Sequence, residues 1–287
     1  MPARWTVLAS GSAGNASLLQ SRGFGLLLDA GLGPRQLDVR FQSVGATWAH
    51  VNAVLLTHTH SDHWRRATMK AIFRRRIPLY CHAEHARWLR DNCDAIREMQ
   101  AARLVRTYEA GEEFSLSAGL RCRPLPVSHD AGSTFGFRFE ADGDLLGDGW
   151  ALGYAADLGL WDAALADALT DVDVLALEFN HDVEMQRSSG RSEALIARVL
   201  GDGGHLSNAQ AAELLHRIVE GSESRKLRHV VQLHLSRECN RPELARAAAQ
   251  SVLQYCRCRA EVHTASQHEP LTGVELATTH STCAAPT

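Results

Sequence analysis

Lysine is almost missing from this chain: Lys70 and Lys226 are the only two among 30 basic residues in 287. Arginine carries the positive charge instead, and the formal net charge is only −3. That balance excludes a global attraction to nucleic acid or acidic membranes, so a polyanion must be met by local patches. Seven cysteines without framework spacing exclude a disulfide scaffold and point to reduced thiols in a cytosol. Cys256-Arg257-Cys258 is read as helix-end thiols rather than a soft-metal or redox pair. The N-terminus shows no signal-peptide core, and no apolar run is long enough to span a bilayer. A soluble, cytoplasmic protein with no membrane partner is the expectation. Internal repeats and long linkers are also missing. With 45% hydrophobic residues the chain can bury a sizeable core. One domain is expected over residues 1–277, with a loose tail at 278–287.

What is present is histidine, concentrated in Thr57-His58-Thr59-His60-Ser61-Asp62-His63-Trp64. The stretch follows an apolar run, Val51 and Ala53 to Leu56, and precedes a cationic helical segment, so it reads as a strand-to-helix loop. His58 and His60, at i and i+2, point the same way in extended chain, while Asp62 and His63 turn toward an adjoining point. Packed this densely, three histidines and a carboxylate repel one another when protonated and leave costly unpaired groups if buried empty. A metal removes both problems.

The remaining chain reads as alternating strands and helices. Trp5 to Ser10, the hairpin Ala16–Gln20 with Phe24–Leu28, Ile77–Cys81, Leu152–Ala156, Val172–Phe179, His229–Leu235 and Ala260–Thr264 read as strands, with several more between Val105 and Phe139. Helical spacing occupies Pro34–Val44, Arg65–Arg76, Glu84–Asn92, Ser192–Glu220 with a break at 201–208, and Pro242–Tyr255. Ser207 or Asn208 caps the helix after that break. Asp29, His58, His129, Asp157, Asn180 and His234 all fall at strand C-terminal ends, where α/β sheets place their chemistry. The loop Ser10-Gly11-Ser12-Ala13-Gly14-Asn15 is either a plain tight turn or a place where Ser12, Asn15 and backbone N–H groups meet a ligand.

On these residues the chain resembles the metallo-β-lactamase fold superfamily over nearly its whole length. The marks are the 57–63 motif, His129, the Asp157 of Tyr154-Ala155-Ala156-Asp157-Leu158-Gly159, and His234. Within the superfamily it is similar to the bacterial YycJ/WalJ-like branch, through the 10–15 loop, Glu178-Phe179-Asn180-His181-Asp182, Gly204-His205-Leu206-Ser207-Asn208 and His234-Leu235-Ser236-Arg237. The resemblance implies an α/β fold, a four-layer αβ/βα sandwich, with two divalent metal ions. His58, His60 and His129 would hold one ion, Asp62, His63 and His234 the other, and Asp157 would bridge them. All seven donors are nitrogen or oxygen, which suits Zn²⁺ and also admits Mn²⁺ or Fe. His263, on a strand of similar type, is the rival to His234.

A water bridging two such ions is hydroxide near neutral pH. Two dications, two aspartates and one hydroxide leave about +1, which favours an anionic phosphodiester over neutral esters. The resemblance sharpens this to an exonuclease-like phosphodiesterase with DNA as its partner. No long insertion of the β-CASP kind and no tRNA-binding arm is found, and motifs for base readout are missing. Arg66, Lys70 and Arg74 share a helix face, either as a phosphate track or as a solvated face. Asp62 counts as catalytic as well as metal-binding. His205, flanked by glycines before a helix N-terminus, binds the scissile phosphate, protonates the leaving oxygen, or merely bonds backbone. His181 is its competitor, and Asn180 joins the substrate-binding set. Two other classes stay open: a hydrolase of small metabolites (a cyclic phosphodiester, lactone or thioester) and a metal-stabilised regulatory protein.

Overall fold

Apolar residues alternate along the strands, and that alternation decides the layers. In the computed structural model, which describes residues 3–143 and 149–276, the first half of the chain supplies six strands and four helices. They are β1 (Arg4–Ala9), β2 (Ala16–Ser21), β3 (Phe24–Leu28), β4 (Ala53–Leu55), β5 (Leu79–His82) and β6 (Val105–Tyr108), with α1 (Pro34–Ser43), α2 (Arg66–Arg74), α3 (Ala83–Asn92) and α4 (Asp94–Ala101). The second half supplies β7 (Phe114–Ser117), β8 (Leu120–Val127), β9 (Thr134–Ala141), β10 (Trp150–Ala155), β11 (Val174–Glu178), β12 (His229–Leu233) and β13 (Glu261–Thr264). Its helices are α5 (Ala163–Ala168), α6 (Val183–Arg187), α7 (Glu193–Leu200), α8 (Asn208–Gly221) and α9 (Pro242–Tyr255), and β14 (Leu271–Glu275) follows last.

The strands form two seven-stranded sheets, in the orders β14-β1-β2-β3-β4-β5-β6 and β13-β12-β11-β10-β9-β8-β7. In β3, Leu26 and Leu28 enter the cluster between the sheets, whereas Leu27 joins the cluster under α1 to α4. In β11, Val174 and Ala176 face the first sheet, whereas Leu175 and Leu177 pack toward α5, α8 and α9. Burial on both faces explains why these strands read as continuous apolar runs. Helix, sheet, sheet and helix are therefore the four layers expected from the sequence.

Strands β3 to β6 run parallel, as do β10 to β13, so both sheets bring strand C-termini to one edge. Helix α8 opens on Ser207, whose Oγ accepts from the Gln210 N–H at 3.2 Å, with the Gln210 side chain returning to the Ser207 N–H at 3.0 Å. This capping box chooses Ser207 over Asn208 as the cap. The sequence pattern predicts neither α4 nor β14. Helix α4 follows α3 after the single residue Cys93, and β14 is held by antiparallel pairing with β1 at the far end of the chain. Among the described residues, no helix is long and apolar enough to cross a membrane. The tail at 278–287 lies outside the described residues.

Candidate metal centre

Polar groups gather where the parallel strands end. Asp29 follows β3, the 57–63 loop follows β4, Asp157 lies just beyond β10, Glu178 closes β11 and His234 follows β12. Three of these carry left-handed backbone: Asp29 (φ +59°), Asp157 (φ +58°) and His234 (φ +54°). Such conformations cost energy and cluster at functional sites, because the surrounding structure must over-determine them. The 57–63 loop is pinned by the Asn15 N–H donating to the Asp62 carbonyl at 2.7 Å and the Ala30 N–H donating to the His63 carbonyl at 2.8 Å. Gly31 allows this approach, since a Cβ there would stand 1.7 Å from the Asp62 carbonyl oxygen. Gly31→Ala should cost about 1–3 kcal/mol, as overpacking does, read as a lower urea midpoint at unchanged m-value.

The gathered donors form two triads and a link. His58, His60 and His129 make one, with His129 Nε2 3.3 Å from His60 Nδ1. Asp62, His63 and His234 make the other, with Asp62 Oδ2 3.5 Å from His63 Nε2 and 3.7 Å from His234 Nε2. Asp157 joins them: it groups with His58 and His63, and its Oδ2 is 3.2 Å from His63 Nε2. Donors about 2.0–2.2 Å from a tetrahedral ion stand roughly 3.3–3.6 Å apart, so these edges have the right length. Three of the inward-facing atoms, His58 Nε2, Asp157 Oδ2 and His234 Nε2, are buried without a hydrogen-bond partner. Buried polar atoms rarely stay orphaned, and a cation shared among them accounts for all three.

The outward-facing atoms of the same side chains are fixed. His63 Nδ1 meets Asp29 Oδ2 at 2.7 Å, and Thr57 donates its N–H and hydroxyl to that carboxylate. His129 Nδ1 meets the Gly204 carbonyl at 3.0 Å. Glu178, fully buried, receives His234 Nδ1 at 3.1 Å, His205 Nδ1 at 2.8 Å and the Leu158 N–H at 3.0 Å. Such bonds set the tautomer and leave Nε2 of His63, His129 and His234 for a metal. Glu178 also falls within ligand distance of Asp157, His205 and His234, but its oxygens are already occupied. It is an anchor.

Electrostatics agree. Burial opposes ionisation of Asp157, yet His234 and His63 outweigh it and hold its carboxyl well below the usual range. Burial likewise opposes protonation of His234, but Asp157, Asp62 and Glu178 raise it to about 10. His63 is raised well above the ordinary imidazole value against its burial, by Asp29 and Asp157. His58 goes the other way, lowered by burial and then by the neighbouring His63. Protons squeezed between buried carboxylates are what a divalent ion replaces.

Residues 25–227 match the family described as beta-lactamase superfamily domain. The chain belongs to the metallo-β-lactamase superfamily. It is 30% identical over 246 residues to "Exodeoxyribonuclease WalJ" of Streptococcus pneumoniae, covering 84% of this chain and 85% of that protein. It is 27% identical over 261 residues to "Exodeoxyribonuclease YycJ" of Bacillus anthracis, covering 88% and 90%. The crystal structure of Zn²⁺-bound PqqB from Methylobacterium extorquens superposes with a TM-score of 0.65 at 18% identity, over 93% of this chain and 99% of that one, and so shares the fold. The family resemblance, the WalJ/YycJ branch and the hydrolase class expected from the sequence therefore hold. Divalent metal ions go with this superfamily fold, and the His/Asp cluster is compatible with them.

Not every expected residue faces the centre of this superfamily site. Asn15 and Asn180, expected at the substrate, are buried and turned to two of the candidate donors: Asn15 Nδ2 lies 3.3 Å from Asp62 Oδ2, and Asn180 donates to the His234 carbonyl at 2.7 Å. Ser12 is exposed, as are Arg66, Lys70 and Arg74 on α2. His181 is fully buried, with neither ring nitrogen hydrogen-bonded, and burial lowers its pKa to about 4. His205 instead packs its ring 5.1 Å from His129 and 5.0 Å from His234. His263, the rival to His234, lies elsewhere, beside His229. Glu178 was missed as an anchor, although a carboxylate ending the apolar run from Val172 to Leu177 was its signal.

Proposed function

We propose that the chain is a two-metal phosphodiesterase that removes nucleotides from DNA ends. The observation that carries this is the pair of triads joined by Asp157, in a chain whose curated relatives are named exodeoxyribonucleases. In this reading His58, His60 and His129 would hold one ion and Asp62, His63 and His234 the other, with Asp157 available to both. Bound divalent ions, Zn²⁺ by donor type, supply Lewis acidity and lower the pKa of water toward neutrality.

The chain's own residues do the rest. Asp29 and Glu178 hold His63 and His234 in the tautomer that presents Nε2 inward, and Gly204 does so for His129. His205, with Nδ1 on Glu178, keeps Nε2 free to donate a proton to the leaving oxygen. Asp29 and Glu178 also revise the charge balance expected from seven ligands. The buried carboxylates Asp29, Asp157 and Glu178, with the partly exposed Asp62, would balance two dications and leave the site near neutral before any nucleophile is added. Attraction of a phosphate backbone therefore falls to exposed cations such as Arg66, Lys70 and Arg74 on α2.

His205→Ala tests the acid role. Its loss on DNA should be about 10²–10⁴ in rate, with near-normal turnover of a p-nitrophenyl phosphodiester, whose leaving group needs no proton. Equal losses on both would assign His205 to phosphate binding instead. Running an aryl ester and a thioester beside the aryl phosphodiester separates this reading from a small-metabolite hydrolase.

A further inference from the structure

His263 is idle in the function proposed above, yet the structure gives it two partners. Strands β12 and β13 run parallel with His229 opposite Glu261 and Val231 opposite His263. Alternation puts 229, 261 and 263 on one face of the pair. His229 Nδ1 is 3.1 Å from His263 Nε2, and Glu261 Oε2 is 3.7 Å from each of those nitrogens. We propose that His229, Glu261 and His263 form a further divalent-metal site of the zinc class, clamping edge strand β13 to β12.

Two features of the molecule support the assignment. First, the triangle repeats the edge lengths of the two triads in the metal centre, whose corresponding separations are 3.3, 3.5 and 3.7 Å. Donors about 2.0–2.2 Å from a tetrahedral ion require such edges. Secondly, the site sits at the start of β12, at the opposite end of that strand from His234, so it is separate from the first. Five residue steps separate the two histidines, roughly 16 Å along a strand.

The chemistry fits zinc better than magnesium or calcium, because two imidazoles and one carboxylate are not a hard oxygen cage. Three protein donors leave a fourth position for water or a small anion. His229 and Glu261, though not His263, also line a cleft of about 1020 Å³ whose wall carries Arg217, Arg225, Arg228, Arg257 and Arg259. The nearest arginine in sequence, Arg228, donates to the Leu276 carbonyl at 2.6 Å, and its charge still acts against protonation of His229. Burial, then the neighbouring His263 and Arg228, lower the pKa of His229, with Glu261 and Glu275 on β14 acting the other way. The bland competitor is an N–H···N hydrogen bond between two neutral imidazoles, which needs no ion. Zinc counting distinguishes the two.

The experiment is equilibrium dialysis of the metal-loaded protein against buffered free Zn²⁺, followed by elemental analysis, with thermal melts on the same samples. Wild type should hold one zinc more per chain than His263→Ala or the milder Glu261→Gln. Both variants should keep wild-type turnover and lose part of the zinc-dependent rise in Tm. A His58→Ala/His60→Ala chain should still take up the edge ion, so the site survives or fails independently of the metal centre. Equal zinc in wild type and His263→Ala would overturn the proposal. So would a zinc loss in either edge variant matched by a loss of turnover.

Discussion

Asp157→Ala is expected to lower turnover on DNA by on the order of 10²–10³ or more, the scale seen when a preorganised charge-stabilising group is removed. Asp157 is 2% exposed and lies 3.2 Å from His63 Nε2 and 3.4 Å from His234 Nδ1. Without it the two triads lose their shared donor. The fold should survive, because the strand end is held through backbone: the Leu158 N–H donates to Glu178 and the Gly159 N–H to the Ser128 carbonyl. Alanine at φ +58° adds strain of about 1–2 kcal/mol, which Asp157→Asn avoids because asparagine tolerates that region. Both variants should show the same collapse of kcat with reduced metal content. Normal turnover at full metal content in either one would remove Asp157 from the centre.

Glu178→Ala should be the most destabilising single change in the site. It strands His234 Nδ1, His205 Nδ1 and the N–H groups of Leu158 and Leu206 in a fully buried place. Breaking such a buried charged network costs about 3–5 kcal/mol. For a domain of this size that is a Tm drop of roughly 10 °C. Glu178→Gln keeps the volume and offers a sharper test. Burial opposes ionisation of Glu178, but His205 and His234 outweigh it and pull the carboxyl from 4.5 to about 2. Because the folded pKa is depressed, the stability it contributes is present above about pH 4.5 and is lost as pH falls toward 2. In metal-free Glu178→Gln, acid unfolding across that window should be shallower than in wild type. An unchanged profile would show that Glu178 is not a charged anchor.

The candidate metal donors stand out in the sequence because each carries a local mark. His58, His60, Asp62 and His63 crowd one loop, while His129, Asp157 and His234 each follow an apolar run. The four layers were implied by the family resemblance, and strands apolar on both faces agree with them. What was not legible depends on distant partners. Asp29 stood out as a strand end, but its task is set by His63, brought close only by the parallel β3–β4 pairing. Asn15 looked like a substrate contact because it ends a small-residue loop, and Asn180 because it follows a buried strand. Their amides instead face Asp62 and His234, 47 and 54 residues away. Strand β14 has too little alternation to announce itself and exists by pairing with β1. His263 was weighed against His234 because both sit on similar strands. Only the register of β13 on β12 shows that it belongs with His229.

The most direct test of the two-metal nuclease is nucleotide release from end-labelled DNA as metal-stripped protein is reloaded stepwise with Zn²⁺ or Mn²⁺. His263→Ala protein is the material of choice, because the edge-strand triangle then takes none of the metal. The account predicts little release at one equivalent and a plateau at two. A plateau at one equivalent, or no release from DNA at full metal occupancy, would contradict it.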